Sequence, residues 1–142
     1  GDTAKMAPVV KMYTLGHDFV PSGIHAGGLR YHGMSPLLSA LHHYGYISAV
    51  AYPQIPVFDA AGLFARTEGI IPAPESSHAI KGAIDEALDA KEKGEERVIL
   101  FNLSGHGFMD MTSYDAYVDG KLENYAYPQE MIAKSLKNLP QV

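Results

Sequence analysis

The run Val98-Ile99-Leu100-Phe101-Asn102-Leu103 is almost wholly apolar and breaks at once into Ser104-Gly105-His106-Gly107. Such a run has no polar face to turn towards water. It reads as a β-strand covered on both sides, the pattern of a parallel sheet lying between layers of helix. The polar, glycine-rich turn that follows has its own implication, because ligands of α/β sheets sit beyond the carboxyl ends of the strands. Ser104 therefore marks the first place to look for chemistry.

The flanking segments supply the helical layers. Ser35-Pro36 suits a helix start, with serine as cap and proline in the first turn, and Leu37, Leu38 and Leu41 carry that helix to a stop before Gly45. Tyr46-Ile47-Ser48-Ala49-Val50-Ala51 suggests a further strand. Pro56 opens a second helix, whose Val57, Phe58, Ala61, Leu63, Phe64 and Ala65 cover more than half its circumference before Gly69 ends it. The prolines of Ile70-Ile71-Pro72-Ala73-Pro74 make a rigid connection. Ser76 or Ser77 then caps a third helix, on which Ala79, Ile80, Ala83, Ile84, Ala87 and Leu88 fall at helical spacing as far as Gly94. A last amphipathic helix runs from about Pro128 to Leu139, and residues 1–34 read as extended and loop-rich. The expected class is α/β, a three-layer α/β/α arrangement around a parallel sheet.

Composition removes several functions. Without cysteine there is no disulfide framework, thiolate metal site or cysteine nucleophile. A net charge of -5, with lysines interleaved among acids as in Lys91-Glu92-Lys93-Gly94-Glu95-Glu96-Arg97, argues against nucleic acid or an anionic membrane as partner. No apolar stretch approaches the ~20 residues of a membrane span and no leader pattern opens the chain, so a cytoplasmic location is expected. Seven histidines form no H-E-x-x-H pattern, and Leu103-Ser104-Gly105-His106 is not the G-x-S-x-G of a nucleophile elbow. The chain opens on Gly1 rather than methionine, a start that truncation, processing or tag removal would each leave.

Three loops combine glycine, polar side chains and restricted backbone: His25–Gly33, Glu68–Ala73 and Asn102–Gly107. Together they suit a small polar ligand, with glycines allowing close backbone approach and Ser104, Glu68 and a histidine giving specific hydrogen bonds. Each equally suits a plain structural turn. On the residues alone, a non-catalytic stand-alone α/β module binding a small anion at Ser104–Gly107 remains open beside an enzyme.

Longer strings add a resemblance. Glu68-Gly69-Ile70-Ile71-Pro72-Ala73-Pro74-Glu75-Ser76-Ser77-His78-Ala79 resembles the E-G-I-I-P-A-x-E-S-S-H-A signature of tryptophan synthase β chains, and Asn102-Leu103-Ser104-Gly105 is similar to that family's N-L-S-G segment downstream. Leu15-Gly16-His17-Asp18-Phe19, His25-Ala26-Gly27-Gly28-Leu29-Arg30-Tyr31-His32-Gly33 and Ser104-Gly105-His106-Gly107-Phe108 look like the family's divergent second branch. The likeness extends from about Gly1 to Leu122.

The resemblance implies the C-terminal part of a fold-type-II pyridoxal 5'-phosphate enzyme, a carbon-oxygen lyase that in full-length form joins indole to L-serine to give tryptophan. It puts Ser104 opposite the pyridine nitrogen of the cofactor, where a neutral hydroxyl leaves the nitrogen unprotonated and favours β-replacement over transamination. It lets the ring approach the backbone at Gly105 and Gly28, and makes Glu68 the acid that steers protons beside the ring. It aligns the carbonyls of Tyr31 and Gly33 with those that hold a monovalent cation, although Arg30 alters the neighbourhood of that site. A homodimer and an α subunit are the implied partners. The lysine that carries the cofactor and the phosphate-binding loop belong upstream of the matched region, so the chain alone is expected to be inactive. Lys81, Lys91 and Lys93 read as the solvent face of the third helix. Residues 14–34, lacking the domain that would cover them, are expected to be mobile or held by another copy of the chain.

Overall fold

The computed structural model describes Ala4 and residues 6–139, which divide into two compact units. One unit is Ile24–Leu29 with Tyr52–Tyr125, and the other is Gly1–Gly23, Arg30–Ala51 and Ala126–Val142. The described residues form five α-helices and one 3-10 turn, and none of the helices is long and apolar enough to cross a membrane.

In the first unit α2 (Gln54–Glu68) packs along α3 (Pro74–Lys93). Their shared core is Val57, Phe58, Ala61 and Ile80, each almost fully removed from water. Burying a side chain of the valine, phenylalanine or isoleucine type stabilises by about 1.5–3 kcal/mol, so this short list accounts for much of the pairing. Both helices end as the sequence predicts, on Gly69 and Gly94 in left-handed conformation at φ 70° and 67°. Their starts differ from prediction. Proline at position 56 lies inside α2, whose first turn is closed from a distance: Ile55 N donates to Asn124 Oδ1 at 3.0 Å. Ser76 and Ser77 are not caps but buried residues inside α3, with Ser77 Oγ donating to Ala73 O at 2.8 Å. A fourth helix, α4 (Met111–Val118), was not legible in the sequence. It is held by aromatic contacts, Tyr114 edge-on and Tyr117 stacked against Phe58. Lys81 departs from a purely solvated face: it pairs with Asp85 and lies 5.1 Å from the centre of the Tyr52 ring.

The expected strand at 98–103 has no regular structure and is unpaired, and no ladder forms among the described residues. Burial along it alternates. Ile99 and Phe101 are partly covered, Phe101 meeting Phe64 at 5.9 Å, whereas Val98 and Leu100 are 101% and 93% exposed. A strand buried on both faces needs paired strands at its edges and layers over its faces, and the described residues supply no paired strand there. Residues 46–51, also expected as a strand, are irregular and largely exposed.

The second unit contains α1 (Pro36–His43) and α5 (Gln129–Lys137). Pro36 occupies the first turn of α1 as expected, but Ser35 makes no side-chain cap. Buried Ser39 instead accepts the Tyr13 amide at 3.2 Å, tying the extended N-terminal segment to the helix. Thr14 bridges to Gly33, Met34 N donates to Tyr13 O at 2.9 Å, and a Cβ on Gly33 would stand 2.7 Å from Met12 Sδ. Tyr31 and Gly33 thus sit on a turn fastened to residues 12–14. A cavity of about 530 Å³ in this unit is lined mainly by Val9–Thr14 and α1.

A candidate active site at the first turn of α3

Proline and backbone geometry bring two distant loops of the first unit to the start of α3. Pro72 forms an antiparallel bridge with His106, flanked by Ala73 N to Gly105 O at 2.9 Å and Gly107 N to Ile71 O at 2.8 Å. Gly107 must be glycine for this to happen, because a Cβ would lie 2.5 Å from Pro72 O and 2.9 Å from Ile71 Cγ2. Tyr114 braces the same turn by donating to Pro72 O, and burial holds its phenol above the ordinary pKa, so it stays a donor.

Ser76 is the hinge pin of the arrangement. Its Oγ is 2.9 Å from Ser104 Oγ, accepts the Gly105 amide at 3.0 Å and lies 3.4 Å from Gly105 O. The neighbouring Glu75 reaches the other loop, its Oε1 accepting the Gly28 amide at 2.7 Å. Gly28 belongs to the 3-10 turn Gly27–Leu29, and a Cβ there would touch Glu75 Cγ and Oε1 at 3.0 Å. Adjacent residues of one helical turn thereby hold both glycine loops. His25 is fixed nearby in the chain, its amide on Gln54 Oε1 at 3.2 Å and its Nδ1 2.9 Å from Ser113 Oγ.

Of the residues singled out in the sequence, Ser104, Gly105 and Gly28 are therefore tied to one helix start. Ser104 itself is exposed, and Gly105 is half-buried against Ala73. Glu68 is the exposed last residue of α2, three positions before Ile71. A carboxylate there faces the negative end of the helix dipole, so helix stability does not explain it. Tyr31 and Gly33 fall in the other unit. Among the described residues no group of three or more His, Asp or Glu gathers as metal ligands. The roles of Glu75 and Ser76 are not legible in the sequence, where Ser76 or Ser77 reads as a helix cap. Their signal was present in the Glu68–Ala79 string but carried no role.

A single outward-facing hydroxyl suits a neutral aromatic nitrogen. The amides of Gly105, Gly107 and Phe108 are consumed by Ser76 Oγ, Ile71 O and His106 Nδ1, whereas the exposed Ser104 hydroxyl meets Ser76 on one side only. A pyridine ring nitrogen asks for one such donor, and the residues present fit that end of pyridoxal phosphate.

No family model matches the chain. Curated relatives do. It is 68% identical over 122 residues to tryptophan synthase beta chain 2 of Aquifex aeolicus, covering 86% of this chain and 28% of that protein. The protein of the same description from Methanosarcina mazei is 69% identical over 123 residues, 87% of this chain and 28% of its own length. Tryptophan synthase beta chain of Thermococcus onnurineus is 59% identical over 133 residues, 94% and 30%. Identities of this size along most of its residues make the chain a tryptophan synthase β-chain-like protein, matched over little more than a quarter of the length of those relatives.

Proposed function

We propose that the first turn of α3 and the loops it holds form the ring-facing part of a pyridoxal-phosphate-dependent lyase, which in full-length form joins indole to L-serine to yield L-tryptophan. The observation that carries this reading is the exposed Ser104 hydroxyl, partnered on one side by Ser76 and free on the other. When bound, the cofactor supplies an electron sink for bond breaking at the substrate. Ser104 donates to the ring nitrogen and, being neutral, does not protonate it. Gly105 and Gly28 keep the backbone close to the ring, and Glu68 holds or releases a proton beside it.

In this reading the chain is the C-terminal part of a fold-type-II protein. The extended segment 98–103 joins a parallel sheet whose other strands, with the cofactor lysine and the phosphate loop, lie in the remaining length. The three-layer arrangement, a homodimer, an α subunit and a cation at the Tyr31 and Gly33 carbonyls belong to that larger protein. The 142 residues alone are inactive. The stand-alone anion-binding module is the weaker reading, because the Gly105 and Gly107 amides of that turn are already engaged.

In a full-length protein that carries this segment, Ser104→Ala should weaken pyridoxal phosphate binding about two- to ten-fold, the equivalent of one hydrogen bond. Titrating the apoprotein with cofactor measures it. Unchanged affinity and turnover would remove Ser104 from the site.

A further inference from the structure

We infer that Ser76 is a positioning residue that fixes Ser104 as a hydrogen-bond donor, an inference that rests on the reading of Ser104 given above. Ser76 Oγ is buried, with 2% of the residue exposed, and carries one proton. It already accepts the Gly105 amide at 3.0 Å. Its own proton then has two acceptors to choose from: Ser104 Oγ at 2.9 Å and Gly105 O at 3.4 Å.

Only the first distance lies in the normal range for a hydroxyl donor, which ends near 3.0 Å. If Ser104 donated to Ser76, the Ser76 proton would be left with the long contact in a place water does not reach, and a poorly satisfied buried donor is costly. If Ser76 donates to Ser104, the buried proton is well bonded and the Ser104 proton turns outward, where the side chain is exposed. The order is therefore Gly105 N–H to Ser76 Oγ, Ser76 O–H to Ser104 Oγ, and Ser104 O–H to the ligand. Hydrogen bonds in such a row polarise one another, which makes the last hydroxyl a better donor than an isolated serine. The backbone amide of the residue next to Ser104 thus sets the direction of its proton through a side chain 28 positions upstream.

A double-mutant cycle on pyridoxal phosphate affinity, in a full-length protein carrying the segment, tests this apart from turnover. S76A should weaken cofactor binding about two- to ten-fold, and S76A in an S104A background should add nothing further, because Ser76 acts through the Ser104 hydroxyl. Independent, multiplicative losses would make Ser76 a merely structural residue and overturn the inference, as would an S76A protein that binds the cofactor normally. Unaltered affinity in S104A would instead sink the reading of Ser104, and this inference with it. Should S76A not fold, neutron diffraction of the unmutated protein decides: a deuteron on the line from Ser76 Oγ to Ser104 Oγ is expected, and one directed at Gly105 O overturns the relay.

Discussion

Gly107 donates its amide to Ile71 O at 2.8 Å while its α-carbon sits against Pro72 and Tyr114, so the turn after the apolar segment and the entry to α3 are packed backbone to backbone. Gly107→Ala therefore has no low-cost relaxation and should destabilise the chain by about 2–3 kcal/mol. Gly94→Ala is the comparison. At φ 67° with open space around it, only the left-handed backbone opposes a side chain, at about 1–2 kcal/mol. Urea unfolding of the two variants should rank them in that order.

Glu75 fastens the 3-10 turn through the Gly28 amide. Glu75→Ala should cost about 1 kcal/mol, whereas Glu75→Gln keeps an acceptor oxygen and should cost less. Equal losses in the two variants would show that the charge at the start of α3, not the hydrogen bond, is what matters.

Acid should loosen α3 from its exposed face. The hydrogen bond from Lys81 chiefly holds Asp85 below its ordinary value, with Tyr52 adding to it, and Lys93 followed by Arg97 does the same for Asp89. With the folded-state values below the unfolded ones, the native chain binds these protons more weakly. The stabilisation is complete above the unfolded aspartate value, about 3.9, and is lost as pH falls through the folded ones. The acid limb of stability against pH should accordingly be shallower in Asp85→Asn. A limb of unchanged slope would mean that other carboxylates dominate.

Pyridoxal phosphate added to the 142 residues should leave no borohydride-trapped adduct at one specific lysine. Lys81, the best-shielded ammonium of the described ion pairs, is committed to Asp85 and the Tyr52 ring. Mass spectrometry after reduction gives the answer, and stoichiometric labelling of a single lysine would contradict it.

Hydrogen exchange should divide the chain in a way its hydrophobicity does not suggest. Amides of α3 should be protected by the packed helix pair, while those of 98–103 should exchange quickly for want of a ladder. Most of residues 14–34 should also exchange quickly, with Gly16, Phe19, His25, Gly28, Leu29 and Met34 slower because each donates to an acceptor within the chain. Uniform slow exchange across 14–34 would show that region to be self-sufficient.

The helices were legible because their signals are local. The periodicity of Ala79, Ile80, Ala83 and Ile84, and the left-handed glycines at 69 and 94, depend on nothing far away. α4 was hidden because Met111–Val118 has weak amphipathicity and owes its place to Phe58, far away in the sequence. The strand expected at 98–103 forms no ladder among the described residues for the converse reason. Its residues describe the surroundings of a strand, and the described residues do not supply those surroundings. At the site, Ser104, Gly105 and Gly28 could be named from resemblance, but the partners that orient them could not. A serine at the start of a helix looks like a cap in sequence, and only packing reveals that Ser76 turns inward.

The alternation along 98–103 carries a liability. With Val98 and Leu100 bare and both backbone edges unmatched, the segment is a ready template for strands of other molecules. Glu95, Glu96 and Arg97 on one side and the polar turn on the other act as gatekeepers that confine the sticky stretch to a few residues. Handled alone at high concentration, the chain should begin to aggregate here, and lysine or proline at position 100 would restore solubility at the expense of the segment's fit in any larger sheet.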